Sequence, residues 1–210
     1  MLNLFYAVNT CALASHIALE EAGAAYTATR LSFTSADQRK PDYLAINPKG
    51  RVPALVTDRG VLTETPAILA FIAQSFPAAK LAPLDDPFAF ARVQAFNSYL
   101  CSTVHVAHAH RWRGYRWVDA DDAHALAAMQ KKVPQNVFEA FDLIERDLTP
   151  GGWVMGSAYT ICDPYLFTLA RWLEGDEVDV ARLPKIADHR RRVAERPAAK
   201  RAIAAELAPA

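Results

Sequence analysis

The sequence predicts an α/β domain followed by an all-α domain. Three observations carry that reading. As far as residue 77, short apolar strands alternate with helical patterns. From residue 88 onward only helical periods remain. Between them Pro77, Pro83 and Pro87, with Asp85-Asp86, interrupt both periodicities as a linker does. The expected division is a first domain of residues 1–77, a linker of 78–87 and a helical domain of 88–210.

The elements follow in order. Leu2 to Tyr6 is a short apolar strand. Thr10 can cap a helix from Cys11 to about Ala22, with Leu13, Ile17 and Ala18 on its apolar face and Gly23 as its stop. Tyr26 to Phe33 alternates enough for a second strand, and polar Thr34 to Asp42 reads as a loop with a helical turn. Pro53 has no N–H to give a sheet ladder, so it belongs at the first residue of a strand or on an edge. Ala54–Thr57 and Val61–Leu62 flank Asp58-Arg59-Gly60, a hairpin signal. Thr65-Pro66 reads as N-cap and first residue of a helix reaching Ser75. Strand–helix–strand, then strand–strand–helix, is a thioredoxin-like order. Beyond the linker, helices are expected over about Phe88–Arg113, Asp121–Asp147, Asp163–Trp172, Leu183–Glu195 and Ala198–Leu207. Thr160-x-x-Asp163 is a capping-box pattern, and loss of either side chain is expected to cost about 1 kcal/mol or more.

Composition sets bounds. The chain has 210 residues, 52% hydrophobic and 22% charged, which suits a globular protein that buries a core without staples. Its formal net charge is +0, so no whole-molecule field draws it to nucleic acid or anionic lipid. No apolar run reaches transmembrane length and no charged leader precedes an apolar stretch, so a cytoplasmic location is expected. Cys11, Cys101 and Cys162 are widely spaced and form no Cys-x-x-Cys pair, so no disulfide framework or dithiol motif is visible.

The run Ile46-Asn47-Pro48-Lys49-Gly50-Arg51-Val52-Pro53 carries chemistry. A cis Val52–Pro53 bond turns the chain so that Val52 offers its N–H and C=O to an extended peptide, as an added strand would. Glu64 then supplies a carboxylate suited to an ammonium, and the free N–H groups of the helix start at Thr65 suit a carboxylate. A backbone clamp with both ends of an amino acid provided for points to a small peptide. Cys11 falls at a helix start, where the partial positive charge favours thiolate; its plainer reading is a small residue packing that start. His105 and His108 share a helix face, but His110 does not and no Asp or Glu is in register, so no metal site is expected. Arg111-Trp112-Arg113-Gly114-Tyr115-Arg116-Trp117 reads as the end of the long helix with Arg stacked on Trp, or as the mouth of a pocket.

These residues, in this order, resemble the glutathione transferases. Tyr6-Ala7-Val8-Asn9-Thr10-Cys11-Ala12-Leu13 is similar to the bacterial beta-class pattern. Tyr159-Thr160-Ile161-Cys162-Asp163-Pro164-Tyr165-Leu166-Phe167-Thr168 and Ala194-Glu195-Arg196-Pro197 are similar to the family's second half. The resemblance implies conjugation of the glutathione thiolate to small hydrophobic electrophiles, with glutathione as co-substrate and no metal. It implies a homodimer with no nucleic-acid or membrane partner. It assigns Cys11, Thr10 and His105 to the thiolate region, and Val52, Pro53, Glu64, Thr65 and Ser102 to glutathione binding. Cys11 is expected to meet the glutathione sulfur and take a mixed disulfide, while Cys101 and Cys162 read as buried packing. Ser102-Thr103-Val104-His105 is similar to the second-domain segment that reaches into the site; Val106 stands where the family often has Lys, and Arg39 or Lys40 replaces a basic residue near Ala36. Tyr6, His108, Trp112 and Trp172 are assigned to the second-substrate pocket, with Tyr6 and Trp172 also readable as structural aromatics. The alternatives on this fold are thiol–disulfide exchange through Cys11, isomerisation, reductive dehalogenation, or a non-catalytic binding or scaffold protein.

Overall fold

The computed structural model describes residues 1–208. The strand β1 (Leu2–Tyr6), the helix α1 (Ala12–Glu21) and the strand β2 (Tyr26–Arg30) form a parallel crossover unit. A short helix α2 (Pro41–Ile46), the hairpin β3 (Ala54–Thr57) and β4 (Gly60–Thr63), and the helix α3 (Thr65–Ser75) complete the first domain. The sheet order is β2-β1-β3-β4, with β1 antiparallel to β3 and β3 to β4. Leu4 stands opposite Leu55, and both are fully buried between the central strands, while its neighbour on the edge strand, Ala28, is exposed. This is the thioredoxin-like domain that the element order predicts.

The rest of the described chain is helical apart from turns and one isolated bridge between Trp153 and Gly156. It comprises α4 (Pro87–Tyr99), α5 (His105–Arg113), α6 (Ala123–Asp147), α7 (Cys162–Ala170), α8 (Pro184–Glu195) and α9 (Pro197–Leu207). Asp86 caps α4 by accepting from the Phe88 and Ala89 N–H groups at 2.9 and 3.0 Å. Glu145 of α6 caps α8 from across the bundle, accepting from the Lys185 and Ile186 N–H groups at 2.9 Å each. No helix among the described residues is long and apolar enough to cross a membrane.

α1 joins the two domains. All of Ala12 to Leu19 is buried, with the helix packed against α3, α7 and α9. A helix buried all round belongs inside a core, and its alanines let neighbours approach closely, although Ser15 and His16 are buried with them.

Three expectations need correction. β2 ends at Arg30, not Phe33: the Leu31 N–H still donates to Tyr6 O at 2.7 Å, then a tight turn follows in which Asp37 accepts from the Ser32 N–H at 2.7 Å. The helical turn expected within Thr34–Asp42 is at Asp37–Arg39, and a further helix not expected, α2, follows it; Pro41 is its first residue, a place where a missing N–H costs nothing. The long helix expected over Phe88–Arg113 is interrupted by a π turn at Leu100–Val104, which separates α4 from α5. One extra residue per turn shifts the faces that follow, and such turns often mark functional sites.

The capping box is a larger junction than its sequence implied. Asp163 is fully buried and accepts from the Thr160 N–H at 2.7 Å and the Val154 N–H at 2.9 Å. It also receives His189 Nε2 of α8 at 2.9 Å. Thr160 Oγ1 accepts from the Cys162 N–H at 3.3 Å. Thr160→Ala should therefore cost about 1 kcal/mol. Asp163→Ala leaves several buried donors unpaired and should cost roughly 3–5 kcal/mol. Urea titrations of both variants check this, and equal losses would contradict the three-way junction.

Glu206 of α9 is 3% exposed, with Oε1 4.0 Å from His16 Nδ1. Burial pushes its carboxyl up to about 7, with Arg171, the Asn9 backbone and Arg30 pulling back less strongly. A raised carboxyl pKa favours the fold at low pH, and that advantage is lost as pH climbs from about 4.5 through 7. Glu206→Gln should match wild type near pH 4.5 and exceed it by roughly 2–3 kcal/mol at pH 8.5. Denaturation of both proteins across that window gives the comparison; parallel pH profiles would mean that Glu206 stays ionised in the core.

Candidate active site

The β1–α1 turn, the loop before β3, the start of α3, helix α5 with its following turn, and the segment after α7 enclose one cleft of about 800 Å³. Asn9, Thr10 and Cys11 come from the first turn. Thr10 Oγ1 donates to Ala7 O at 2.7 Å and accepts from the Ala12 N–H at 3.4 Å, so it holds the turn in place. Cys11 Sγ donates to Val52 O at 3.5 Å.

The thiolate expected from the helix start is not favoured. Burial pushes the Cys11 thiol up to about 11, against a smaller opposing pull from the Thr65 hydroxyl. The partial charge of one helix end is worth less than the water lost around a buried sulfur. Cys101, expected to be core packing, is half-buried and lines the same cleft. Cys162 is fully buried, with Sγ toward Val93 O at 3.6 Å.

The Val52–Pro53 bond is cis. Tyr43 Oη and Asn47 Nδ2 both donate to Arg51 O, at 2.6 and 2.7 Å, so α2 and its end fix the loop that carries Val52. Val52 and Pro53 line the cleft. Thr65 is buried at the first residue of α3, where N–H groups lack helical partners. Glu64 precedes it with φ +71°. Its carboxylate already holds a cation, Lys49 Nζ at 2.5 Å. A ligand ammonium must share or displace Lys49, a competition invisible in the sequence.

The π turn presents Cys101 and His105 to the cleft. Burial, then His108, Arg116 and Arg51, holds the His105 imidazole down to about 4. It is neutral at physiological pH and lies 5.2 Å from the Trp172 ring. His108 has the better-defined environment. Its Nδ1 meets Asp176 Oδ2 at 2.7 Å and Oδ1 at 2.9 Å, and its ring stacks on Trp172 at 4.2 Å. A carboxylate accepts, so Nδ1 carries the hydrogen and the Nε2 lone pair is left unshared. Trp172 Nε1 in turn donates to Asn9 Oδ1 at 3.3 Å, tying this wall to the Cys11 turn.

Of the residues assigned from sequence, Thr10, Cys11, Val52, Pro53, Glu64, Thr65, His105, His108, Trp112 and Trp172 meet in this cleft. Two do not. Tyr6 is a core residue that donates to Ala205 O at 3.4 Å and packs its ring 5.3 Å from His16. Ser102 is exposed and does not line this cleft; the π turn aims Cys101 and His105 there instead. Sequence reasoning missed Asn9, Arg51, Cys101 and Asp176. Asp176 lies in the acidic run Glu174–Asp179, which the run Arg190-Arg191-Arg192 balances in charge, and nothing local marks it as the partner of a distant histidine. Arg190 does bind Glu174, through two bonds of 2.8 and 2.6 Å. The Arg-and-Trp motif serves as the pocket mouth: Trp112, Arg113, Tyr115, Arg116 and Trp117 all line it. Gly114 allows this, because a Cβ there would sit 2.9 Å from Leu126 Cδ2 of α6.

A thioredoxin-like domain with a cis-proline clamp and a helix-start cysteine, closed by a helical domain, defines a class of two-domain proteins built around a thiol cleft. Residues 1–74 match the family "Glutathione S-transferase, N-terminal domain". The chain is 34% identical to glutathione S-transferase GstA of Escherichia coli O157:H7, covering 98% of each chain. A glutathione transferase homologue from Sulfitobacter, solved with bound glutathione, superposes with a TM-score of 0.93 at 41% identity over 99% of each chain. A sphingomonad glutathione S-transferase complexed with glutathione gives 0.84 at 31% identity, over 98% of this chain and 100% of that one. The chain belongs to the glutathione S-transferase family.

A thiol near pKa 11 carries about 100-fold less thiolate at neutral pH than an ordinary cysteine. Alkylation of Cys11 by iodoacetamide in the ligand-free protein should be correspondingly slow and rise about tenfold per pH unit beyond pH 9. Peptide mass spectrometry follows each cysteine separately. A Cys11 rate that levels off below pH 8 would restore the helix-start thiolate.

Proposed function

We propose that this chain is a glutathione S-transferase that binds glutathione along the Val52–Pro53 clamp and presents its sulfur to an electrophile in the cleft. The observation that carries the reading is the convergence of Val52, Thr65 and Cys11 on one cavity. The glutathione-bound structures of similar proteins support it. Glutathione lies extended, its α-carboxylate at the start of α3 and its ammonium at Glu64.

Burial gives the thiolate step its direction. Cys11 stays a thiol and His105 stays a neutral imidazole, so neither carries the charge itself. Both can donate a hydrogen bond to an anionic sulfur, and five lining arginines add a positive field. The negative charge therefore settles on glutathione. With an aryl halide, the sulfur pair forms the C–S bond, the ring takes the charge, and halide leaves with the C–halogen pair. The thiol proton is lost beforehand, with His108 Nε2 as a placed acceptor. The protein is proposed to work in the cytoplasm as a homodimer, in which Ser102 on the surface is available to a second subunit.

Retention on glutathione-agarose with turnover of 1-chloro-2,4-dinitrobenzene tests the reading. Retention without turnover favours exchange or simple binding, and neither result favours a scaffold. Glu64→Gln should weaken glutathione binding about 5- to 30-fold, or about 1–2 kcal/mol, the contact being half-exposed and shared with Lys49. Titration calorimetry measures it; an unchanged dissociation constant in a folded variant removes Glu64 from the site.

A further inference from the structure

The cleft has an unbalanced charge. Arg39, Arg51, Arg113, Arg116 and Arg171 line it, in a chain whose formal net charge is +0. Among the described residues the lining contains one carboxylate, Glu64, and Lys49 holds it. Arg51, Arg113 and Arg116 have no ion-pair partner among the described residues. Their neighbours do better: Arg111 holds Glu177 and Arg190 holds Glu174. Arg51 comes from the first domain and Arg113 and Arg116 from the second, so unpaired guanidiniums face one cavity from both sides.

That gathering is costly without an anion. Partial burial, then Arg51, with Arg113 adding less, holds the Arg116 guanidinium below its ordinary value. Like charges brought together away from water repel, and a bound anion reverses the balance. Glutathione supplies two carboxylates and one ammonium. The start of α3 accounts for one carboxylate. Arg39 and Arg51 line the cleft from the same domain as that start, and the other carboxylate is assigned to them. Arg113 and Arg116 are left over on the opposite wall.

Their surroundings are aromatic. Arg113 Cζ lies 5.9 Å from the centre of the Phe33 ring. Trp112 and Trp117 flank the same mouth, and they are 58% and 44% exposed. Flat apolar faces beside guanidinium forks fit a planar group that ends in a carboxylate.

We propose that the second substrate is a planar electrophile bearing an anionic group, with Arg113 and Arg116 binding that anion. This differs from the small hydrophobic electrophile that the family resemblance implies, and it rests on the reading of the cleft as a glutathione S-transferase site. The arginines select the substrate by its charge, and the aromatic mouth selects it by shape.

The test compares two aryl chlorides, neutral 1-chloro-2,4-dinitrobenzene and anionic 4-chloro-3-nitrobenzoate. Each is measured as kcat/KM with wild type, Arg113→Gln, Arg116→Gln and Arg116→Lys. Glutathione dissociation constants are measured on the same proteins. The ratio of anionic to neutral kcat/KM should fall about fivefold to tenfold in each Gln variant and be largely kept in Arg116→Lys. It should also fall with added salt in wild type. A ratio that the Gln variants leave unchanged overturns the proposal. So does a glutathione dissociation constant that rises as much as the ratio falls, because the arginines would then hold glutathione's own carboxylate. Turnover of the neutral chloride alone by wild type also overturns it, with the transferase reading intact. Absence of both glutathione binding and turnover would instead remove the transferase reading, and the proposal with it.

Discussion

Everything in this molecule leans on the burial of α1. The helix is enclosed by the sheet, α3, α7 and α9, and no face of it meets solvent from Ala12 to Leu19. That burial ties the second domain to the first, and it sets where the cleft opens. The N-terminal end of the same helix carries Cys11. A helix fixed on every side places its first residue rigidly, which a thiol partner requires.

The same burial decides the electrostatics. A core built up to the edge of the cleft strips water from Cys11 and His105, and each is pushed toward its neutral form. The cleft then offers neutral donors beside a surplus of arginines. An anionic ligand sulfur is the natural resident of such a site, more so than an anionic protein sulfur. In the same wall a buried carboxylate, Asp176, orients His108.

Loops reach the cleft through short, specific bonds. Tyr43 and Asn47 hold Arg51 O, Thr10 holds Ala7 O, and Asn9 receives Trp172. Most of these bonds brace a turn locally, and Trp172 reaches across from the second domain. The cleft is thus a set of turns pinned by polar side chains beside a helix buried on all sides.

The sequence by itself determined the domain types, nearly every helix and strand, and the start of a helix at Thr65-Pro66. Those signals are local: alternation, capping pairs, proline and glycine positions act within a few residues. Composition also marks a break between the two periodicities, and α4 starts at Pro87, the last residue of the expected linker. Helix α2 and the π turn escaped because a helix of six residues and one extra backbone unit leave almost no periodic signal. Tertiary structure alone decided that Cys101 is cleft, that Lys49 sits on Glu64 and that Asp176 holds His108. It alone decided the state of Cys11, since desolvation comes from residues far along the chain. Pairing and burial are long-range sums, and a linear sequence names their members without saying which of them meet.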